Sequence, residues 1–244
     1  MNGLELITDK QWSVGYLFNS QHPFFNISVH TITNTWIVLG IILVLALATR
    51  WALARNGIVR YLYLSFTRFF LDLYNQSFTS FSMTHFCFIA SIFIFILLCN
   101  IISIIPWTEE PTTDLNTTLS LGIIAFIYTQ IAGIKAEGLW SYIKSYFSPF
   151  FIMMPLNVVG KLASVISISF RLFGNIFGGA IISKLWIQQA ISGSLLLELF
   201  GILSGINLIL TLFFGVFEGF LQAFVFTMLT LTYLSLAVQG EGGH

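Results

Sequence analysis

Charge is scarce in this sequence. Its 244 residues include 10 lysines and arginines and 10 aspartates and glutamates, so charged residues make up 8% and the net charge is zero. Apolar residues make up 57%, and 26 residues are phenylalanine. So little polar surface cannot coat a water-soluble globule, and a neutral chain offers no basic surface to nucleic acid. We therefore predict an integral membrane protein, with the lipid bilayer as its surroundings and no nucleic-acid partner.

Cysteine is also rare, and no residues have the spacing of a metal or catalytic site. Cys87 and Cys99 lie in one apolar segment and are interpreted as buried thiols rather than a disulfide or metal pair. His22, His30 and His85 lie near segment ends, and none has a ligand partner three or four residues away. A nucleotide-binding loop is absent as well. We expect no cofactor, no metal and no reaction catalysed by this chain unaided.

Long apolar runs fill most of the chain and predict a single integral membrane domain with an all-α polytopic fold. About 20 apolar residues are enough for a helix to cross the hydrocarbon core. Five membrane helices are expected, the last two long and strongly tilted, plus one interfacial amphipathic helix. The expected segments are an outer N-terminal segment at 1–31, helix 1 at 32–54, the interfacial helix at 55–82, helix 2 at 83–106, helix 3 at 115–134, long helix 4 at 150–191 and long helix 5 at 195–239.

The interfacial helix is indicated by two opposed faces at helical spacing. The members are Leu62, Phe66, Phe69, Phe70 and Leu73 on the apolar face, and Arg60, Arg68 and Asp72 on the charged face. Such a helix is expected to lie in the headgroup layer rather than to cross it.

The last two apolar runs are too long for one perpendicular crossing. Residues 145–197 and 199–240 each form a run of roughly 40 to 50 residues, about twice what one span needs. Each run is either a pair of broken helices or one long inclined helix. After Pro155 no Asn-Gly, Asp-Gly or Pro-Gly dipeptide reverses the chain before residues 192–194, Ser-Gly-Ser. This favours two long inclined helices joined at that turn.

The distribution of basic residues predicts the orientation. Lysines and arginines cluster after the first and third spans and are absent from the loop between the second and third. By the positive-inside rule the N-terminus lies outside, and with five crossings the C-terminus is cytoplasmic. We expect the membrane to be the inner, or plasma, membrane of a bacterial cell.

Arg171 is a permanent charge in the middle of the fourth apolar run. Placing an arginine at the centre of a spanning helix costs about 2.5 to 3.5 kcal/mol on insertion scales, and arginine does not lose its proton to avoid that cost. The nearby polar and small residues repeat at helical spacing in two stripes: Asn157, Lys161, Ser164, Ser167, Arg171, Asn175 and Gly178, then Asn207, Thr211, Gly215, Glu218 and Gln222. Two polar stripes facing each other in lipid predict a hydrated ion path.

The residues around Arg171 resemble those of a known family. Arg171-Leu-Phe-Gly-Asn175-Ile-Phe-Gly-Gly, with Leu221-Gln222-Ala-Phe-Val-Phe-Thr-Met-Leu-Thr further on, is similar to subunit a of F-type ATP synthases, the stator beside the rotating c-ring. Further matching segments are His30-Thr-Ile-Thr-Asn-Thr-Trp36, Ile105-Pro106, Pro111-Thr-Thr-Asp-Leu-Asn-Thr-Thr and Pro155-Leu-Asn157. The resemblance covers most of the chain.

The resemblance implies a mechanism and a set of partners. Arg171 is expected to face the carboxylate of each c subunit and to exchange protons with it during ATP synthesis, while the ATP chemistry belongs to other chains. Gln222 is expected beside Arg171, with Asn175 and Glu218 in an outer half-channel. Candidate linings of the inner half-channel are Asn157, Ser164 and Ser167. The implied partners are the ring of c subunits, the b subunit of the peripheral stalk and the rest of the ATP synthase.

The chain departs from the family pattern at four positions. Many members have an acid or histidine where this chain has Ala180 and an ionisable group where it has Gly215, so Glu218 is the candidate substitute relay. Many also have an acid at the positions of Gly160 and Lys161, which leaves the inner exit unassigned. We expect Lys161, like Lys184, to extend its ammonium toward a membrane boundary.

Alternative interpretations remain at this stage. Arg171 is also compatible with a static ion pair, Glu218 with its fixed counter-ion and Gln222 with a bridge between helices. A proton-coupled secondary transporter and a respiratory-chain membrane subunit are the competing function classes. A transporter of this size is expected to show duplicated halves, and the sequence shows no such duplication. A respiratory subunit is expected to show a chain of intramembrane acids and lysines, and the sequence shows none. Both alternatives are therefore disfavoured.

Overall fold

The computed structural model describes residues 11–13, 26–52, 57–102, 110–147, 150, 152–192, 209 and 212–239. The described elements are strands β1 (Gln11–Ser13) and β2 (Asn26–Ser28), helices α1 (Val29–Ala52), α2 (Ile58–Ser77), α3 (Met83–Ile101), α4 (Leu115–Glu137), α5 (Leu139–Ser145) and α6 (Met153–Ser192), a π-helical segment (Leu212–Glu218) and helix α7 (Gly219–Gln239). A 3-10 turn at Pro111–Thr113 precedes α4.

The prediction of an all-α polytopic membrane protein is confirmed. Within the described residues, five helical stretches are long and apolar enough to cross a membrane: Thr31–Arg50, Met83–Ile101, Leu115–Glu137, Met154–Gly179 and Leu212–Gln239. The sequence analysis did not predict the short antiparallel pairing of β1 with β2 or the helix α5.

The long fourth helix is continuous. α6 runs for 40 residues without interruption, which is about 60 Å at 1.5 Å per residue, twice the thickness of the hydrocarbon core. The alternative of a broken helix pair therefore does not apply to this run. For the fifth helix, the first part of the predicted range, together with the turn expected after Ser192, lies outside the described residues except for Ile209.

Helices α3, α4, α6 and α7 form the bundle. α7 packs against both α3 and α4, and α4 packs in turn against α6. The largest core cluster joins Phe93 and Ile96 of α3 to Leu172 of α6 and Phe226 of α7. α1 lies at the margin, where Val38 packs with residues at the end of α3. Most of the remaining surface of α1 is apolar and exposed, as expected of a helix that faces lipid.

α2 crosses the bundle near the C-terminal end of α7. Its Phe70 and Tyr74 are buried, and the carbonyl of Ser77 accepts hydrogen bonds from Ser235 Oγ (2.5 Å) and Gln239 Nε2 (3.0 Å). Two residues of the predicted apolar face, Leu62 and Phe69, are exposed instead. The apolar face is thus shared between the bundle and the surroundings, and the location of α2 in the headgroup layer stays a prediction.

The expectation of two buried thiols is wrong for one of them. Cys99 is buried, whereas Cys87 is exposed, and both are free. The two lie on the same helix but on different faces, because a separation of 12 residues rotates the second side chain away from the first. Apolar context alone does not distinguish a lipid-facing position from a core position.

Gly122 sets the distance between α4 and α6. A Cβ added at Gly122 would collide with Ser169 Oγ and would lie 3.3 Å from Val165 Cγ1. The two helices approach closely because one of them has no side chain there, as small residues allow in membrane proteins.

Substituting Gly122→Val is therefore expected to destabilise the bundle by about 1 to 3 kcal/mol, the usual cost of overpacking a core. The measurement is the temperature at which the detergent-solubilised chain aggregates.

The matched control is Gly40→Val in α1, where an added Cβ meets nothing within 4 Å. Equal aggregation temperatures for the two variants would contradict the close α4–α6 contact.

Candidate functional site: Arg171 and the adjoining cavity

Arg171 lies near the middle of α6, and its side chain is exposed on the surface of the bundle. None of the described residues is hydrogen-bonded or ion-paired to it. The guanidinium has no fixed counter-ion among them, and Glu218 in particular does not serve as one. A static ion pair is therefore not the arrangement found within the described part of the chain.

Gln222 is the residue that the structure brings next to Arg171. The two line one crevice between α6 and α7, together with Ile168, Leu172, Val225, Phe226 and Leu229. Gln222 is 5% exposed, whereas Arg171 is exposed. The crevice is otherwise lined by apolar side chains.

Asn175 of α6 and Glu218 of the π-helical segment are both half-buried. Asn175 follows Arg171 by one turn of α6, and Glu218 precedes Gln222 by one turn at the end of the π-helical segment. Neither side chain is hydrogen-bonded to a described residue. The structure therefore does not join the two by a direct hydrogen bond.

Two of the positions that depart from the family pattern are Gly215 and Ala180. Gly215 is buried within the same π-helical segment, and the side chain of Ala180 lies outside the described residues.

A buried polar cluster that sequence analysis missed supports the π-helical segment. Asn100 Nδ2 donates to the Gly219 carbonyl at 3.0 Å, and Thr112 Oγ1 donates to Asn100 Oδ1 at 2.9 Å. Asn100 and Thr112 are 1% and 0% exposed. π-Helical turns displace the normal backbone hydrogen bonds and are frequent at functional sites. The signal in the sequence was a lone amide in the otherwise apolar second span, a kind of residue that is costly in lipid unless it has a partner.

A cavity of about 1130 Å³ opens between α4, α5, α6 and α7. Two of the three predicted inner linings, Asn157 and Ser164, border it. The third, Ser167, does not border it and is exposed on another side of α6. The residues of the predicted α6 stripe therefore do not all face the cavity. Some lie on the exposed surface of α6, because α4 covers only part of the stripe.

Two buried apolar side chains are common to the cavity and the crevice of Arg171. Ile168 and Phe226 border both the cavity and the Arg171–Gln222 crevice. Their exposed fractions are 9% and 2%. The cavity and the crevice therefore adjoin at these two side chains.

Lys161 borders the cavity, and its expected extension toward a membrane boundary stays a prediction. Its Nζ lies 3.9 Å from the ring centroid of Tyr146 and 5.0 Å from that of Tyr142, and 3.4 Å from the Tyr142 hydroxyl. An ammonium over aromatic faces is held by the ring quadrupoles. The side chain of Lys184 lies outside the described residues.

A hydrogen-bonded group fixes these two tyrosines. Both hydroxyls donate to Gln130 Oε1, from Tyr142 at 2.5 Å and from Tyr146 at 2.7 Å, and Asn157 Nδ2 donates to the Tyr146 carbonyl at 2.9 Å. Tyr142 fits beside α4 because Gly133 has no side chain: a Cβ there would lie 2.6 Å from Tyr142 Cε2. Burial, followed by the hydrogen bond with Tyr146, raises the pKa of Tyr142 above its usual value. The phenol therefore stays protonated and available as a donor.

Sequence analysis also missed Gln130, Tyr142 and Tyr146. Gln130 is a lone amide in the third span, and that signal was available. The tyrosines follow the third span in a segment that was interpreted only as a basic inner loop. Their approach to Lys161 depends on α5, which was not predicted.

The sequence as a whole matches one family. Residues 32–235 match the sequence model described as "ATP synthase A chain". The chain is 34% identical over 212 residues to "ATP synthase subunit a" of Moorella thermoacetica, covering 86% of this chain and 91% of that protein. It is 30% identical over 243 residues to "ATP synthase subunit a" of Desulforamulus reducens, covering 97% and 86%.

A third relative is named for its ion. "ATP synthase subunit a, sodium ion specific" of Propionigenium modestum is 31% identical over 223 residues, which cover 84% of this chain and 72% of that protein. All three relatives match over most of their own length. The chain therefore belongs to the ATP synthase A chain family, the membrane-sector stator subunits through which these synthases move ions.

Proposed function

We propose that this chain carries protons between two half-channels and the carboxylates of a neighbouring ring of c subunits, with Arg171 as the residue that those carboxylates meet. The observation that carries the proposal is the exposed guanidinium in the middle of α6, without a partner among the described residues and with Gln222 beside it. A secondary transporter or a respiratory subunit is set aside because the family match spans residues 32–235.

An unpaired guanidinium acts on a passing carboxyl group through its charge. A cation within a few ångströms favours the ionised form of a carboxyl group and lowers its pKa, by 1 to 3 units for an adjacent arginine. A ring carboxyl group arriving at Arg171 therefore gives up its proton, and must be protonated again before it re-enters lipid, where a bare carboxylate is costly. Each charge that crosses a potential of 100 mV supplies about 2.3 kcal/mol.

The inner half-channel in this proposal is the cavity bordered by Asn157 and Ser164. The outer half-channel runs past Asn175 and Glu218. Ile168 and Phe226 lie where the cavity adjoins the crevice of Arg171, and in this proposal the two apolar side chains oppose direct leakage of protons between the two routes. Ser167, on the outer surface of α6, is assigned instead to the face that meets the ring.

Orientation and partners follow from the same proposal. The N-terminus lies outside and the C-terminus in the cytoplasm of a bacterial cell, whose plasma membrane holds the complex. The ring of c subunits meets the exposed face of α6 around Arg171, and the b subunit anchors this chain as part of the peripheral stalk. The chain itself is non-catalytic, since the formation of ATP takes place in other subunits.

Replacing Arg171 with alanine is expected to abolish proton-driven ATP synthesis, because the ring carboxyl groups then lose the fixed cation that discharges them. Assembly is expected to persist, since the guanidinium forms no bond within the described part of the bundle. The measurement is ATP synthesis by inverted membrane vesicles after an imposed pH and potential difference, with the complex quantified in the same membranes.

Arg68→Ala is the control, because Arg68 is an exposed arginine on α2. It is expected to leave synthesis unchanged. Normal synthesis by Arg171→Ala would overturn the proposal.

Replacing Glu218 with glutamine is expected to slow proton flow roughly 10²-fold, the lower end of what a positioned proton-transfer group contributes. The amide keeps the shape of the carboxyl group but does not accept and release a proton. The measurement is ATP-driven quenching of a pH-sensitive dye in proteoliposomes that contain the whole complex, with and without sodium.

Asp72→Asn, at an exposed acid on α2, is the matched charge-neutralising control. An unchanged rate for Glu218→Gln would remove Glu218 from the relay.

A further inference from the structure

Lys161 is a fixed positive charge inside the inner cavity. Its ammonium is held by the ring of Tyr146 at 3.9 Å and by the Tyr142 hydroxyl at 3.4 Å. The two hydroxyls are anchored in turn to Gln130. This arrangement holds the charge against the lining of the cavity, although the stem of a lysine is long enough to reach away.

The other ionisable groups that border the cavity do not cancel this charge. α4 contributes Glu137 and α5 contributes Lys144. The remaining titratable groups are the phenols of Tyr142, Tyr146 and, on α7, Tyr233. Among the described lining residues there are thus two lysines against one acid, and no acid is ion-paired with Lys161.

We propose that Lys161 sets the pH at which protons leave through the inner half-channel: its ammonium lowers the proton affinity of the carboxylic acid that the ring presents to the cavity. The inference rests on the proposed function, since it needs a ring acid to be discharged there. A nearby positive charge favours the ionised form of an acid. Release toward the inner side is therefore easier than it would be in a neutral cavity, and reloading from that side is harder.

The expected size of the pH displacement follows from the distance between Lys161 and Arg171. Lys161 and Arg171 are ten residues apart on one continuous helix, which is about 15 Å. At an effective dielectric constant near 20, a unit charge at that distance shifts the pKa of an acid beside Arg171 by about 0.8 unit, and salt reduces this shift. We expect a displacement of about 0.3 to 0.8 pH unit for removal of the charge, and about twice that for its reversal.

The test is the dependence of ATP synthesis on the pH of the inner compartment. Complexes carrying Lys161→Gln, Lys161→Glu or Lys161→Arg are reconstituted in proteoliposomes, and the inner-side pH of half-maximal synthesis is measured at constant total driving force. Without the ammonium the ring acid binds its proton more tightly. The midpoint is therefore expected to rise in Lys161→Gln, to rise further in Lys161→Glu and to stay in place in Lys161→Arg. A purely structural role would lower the rate without moving the midpoint in this order.

A second measurement changes the charge within one folded complex. Lys161→Cys is made together with Cys87→Ser, which removes the exposed native thiol. 2-Aminoethyl methanethiosulfonate then attaches an ammonium to the new cysteine, and methyl methanethiosulfonate attaches a neutral group of similar chemistry. Only the ammonium is expected to bring the midpoint back.

The outcomes separate the two proposals. A midpoint that is unchanged in Lys161→Gln and Lys161→Glu, or insensitive to the attached ammonium, overturns the role of Lys161 and leaves the proposed function intact. Unimpaired synthesis by Arg171→Ala overturns the proposed function itself. Lys144→Gln is the control for a general change of surface charge, because Lys144 is exposed at the mouth of the same cavity, and its effect is expected to be smaller.

Discussion

The arrangement of this protein depends on a guanidinium that has no partner among the described residues. A charge in a low-dielectric setting is normally paired, because the cost of removing it from water exceeds most single interactions in a fold. Arg171 is exposed in the middle of a 40-residue helix, and the described part of the bundle supplies an amide, Gln222, instead of an acid. In the proposed function, a carboxylate brought from another chain completes the ion pair, and it is free to leave again because no described residue competes for the cation.

Close packing elsewhere keeps that helix in place. Gly122 lets α6 approach α4, and Gly133 admits Tyr142 beside α4. On the other side of the bundle, Asn100 holds the Gly219 carbonyl next to the π-helical segment that ends in Glu218. In lipid, helices gain little from the hydrophobic effect, so small residues and buried hydrogen bonds take over the positioning. The functional side chains thus lie on rigid helices rather than on loops.

The cavity that Lys161 borders has a polar lining that differs from the pattern expected from the family resemblance. Where many relatives have an acid near the inner exit, this chain has Gly160 and Lys161, and both border the cavity. The amide and the phenols of Gln130, Tyr142 and Tyr146 satisfy one another and stabilise the ammonium. A route for protons does not require a negative lining at every point, because hydroxyls, amides and water also bridge such a path.

The sequence by itself determined the membrane setting, the five apolar helices and the presence of one arginine, Arg171, in the middle of an apolar run. These follow from local properties: apolar runs of sufficient length, and the energetic cost of one charge within them. Helical periodicity also gave the stripe on α6, since side chains three or four residues apart share a face. Periodicity did not predict which helices pack against that stripe. In the structure Ser164 borders the cavity, whereas Ser167 does not border it and is exposed.

Only the tertiary structure decided which helix covers which face. Asn100 meets Gly219 across 119 residues of sequence, and Lys161 meets Tyr142 across 19. Cys87 is exposed although its segment is as apolar as a core helix. The physical reason is that periodicity fixes the direction of a side chain relative to its own helix axis, whereas burial depends on how close and at what angle the next helix passes. That approach is set by a few glycines and buried amides whose partners are distant in the chain.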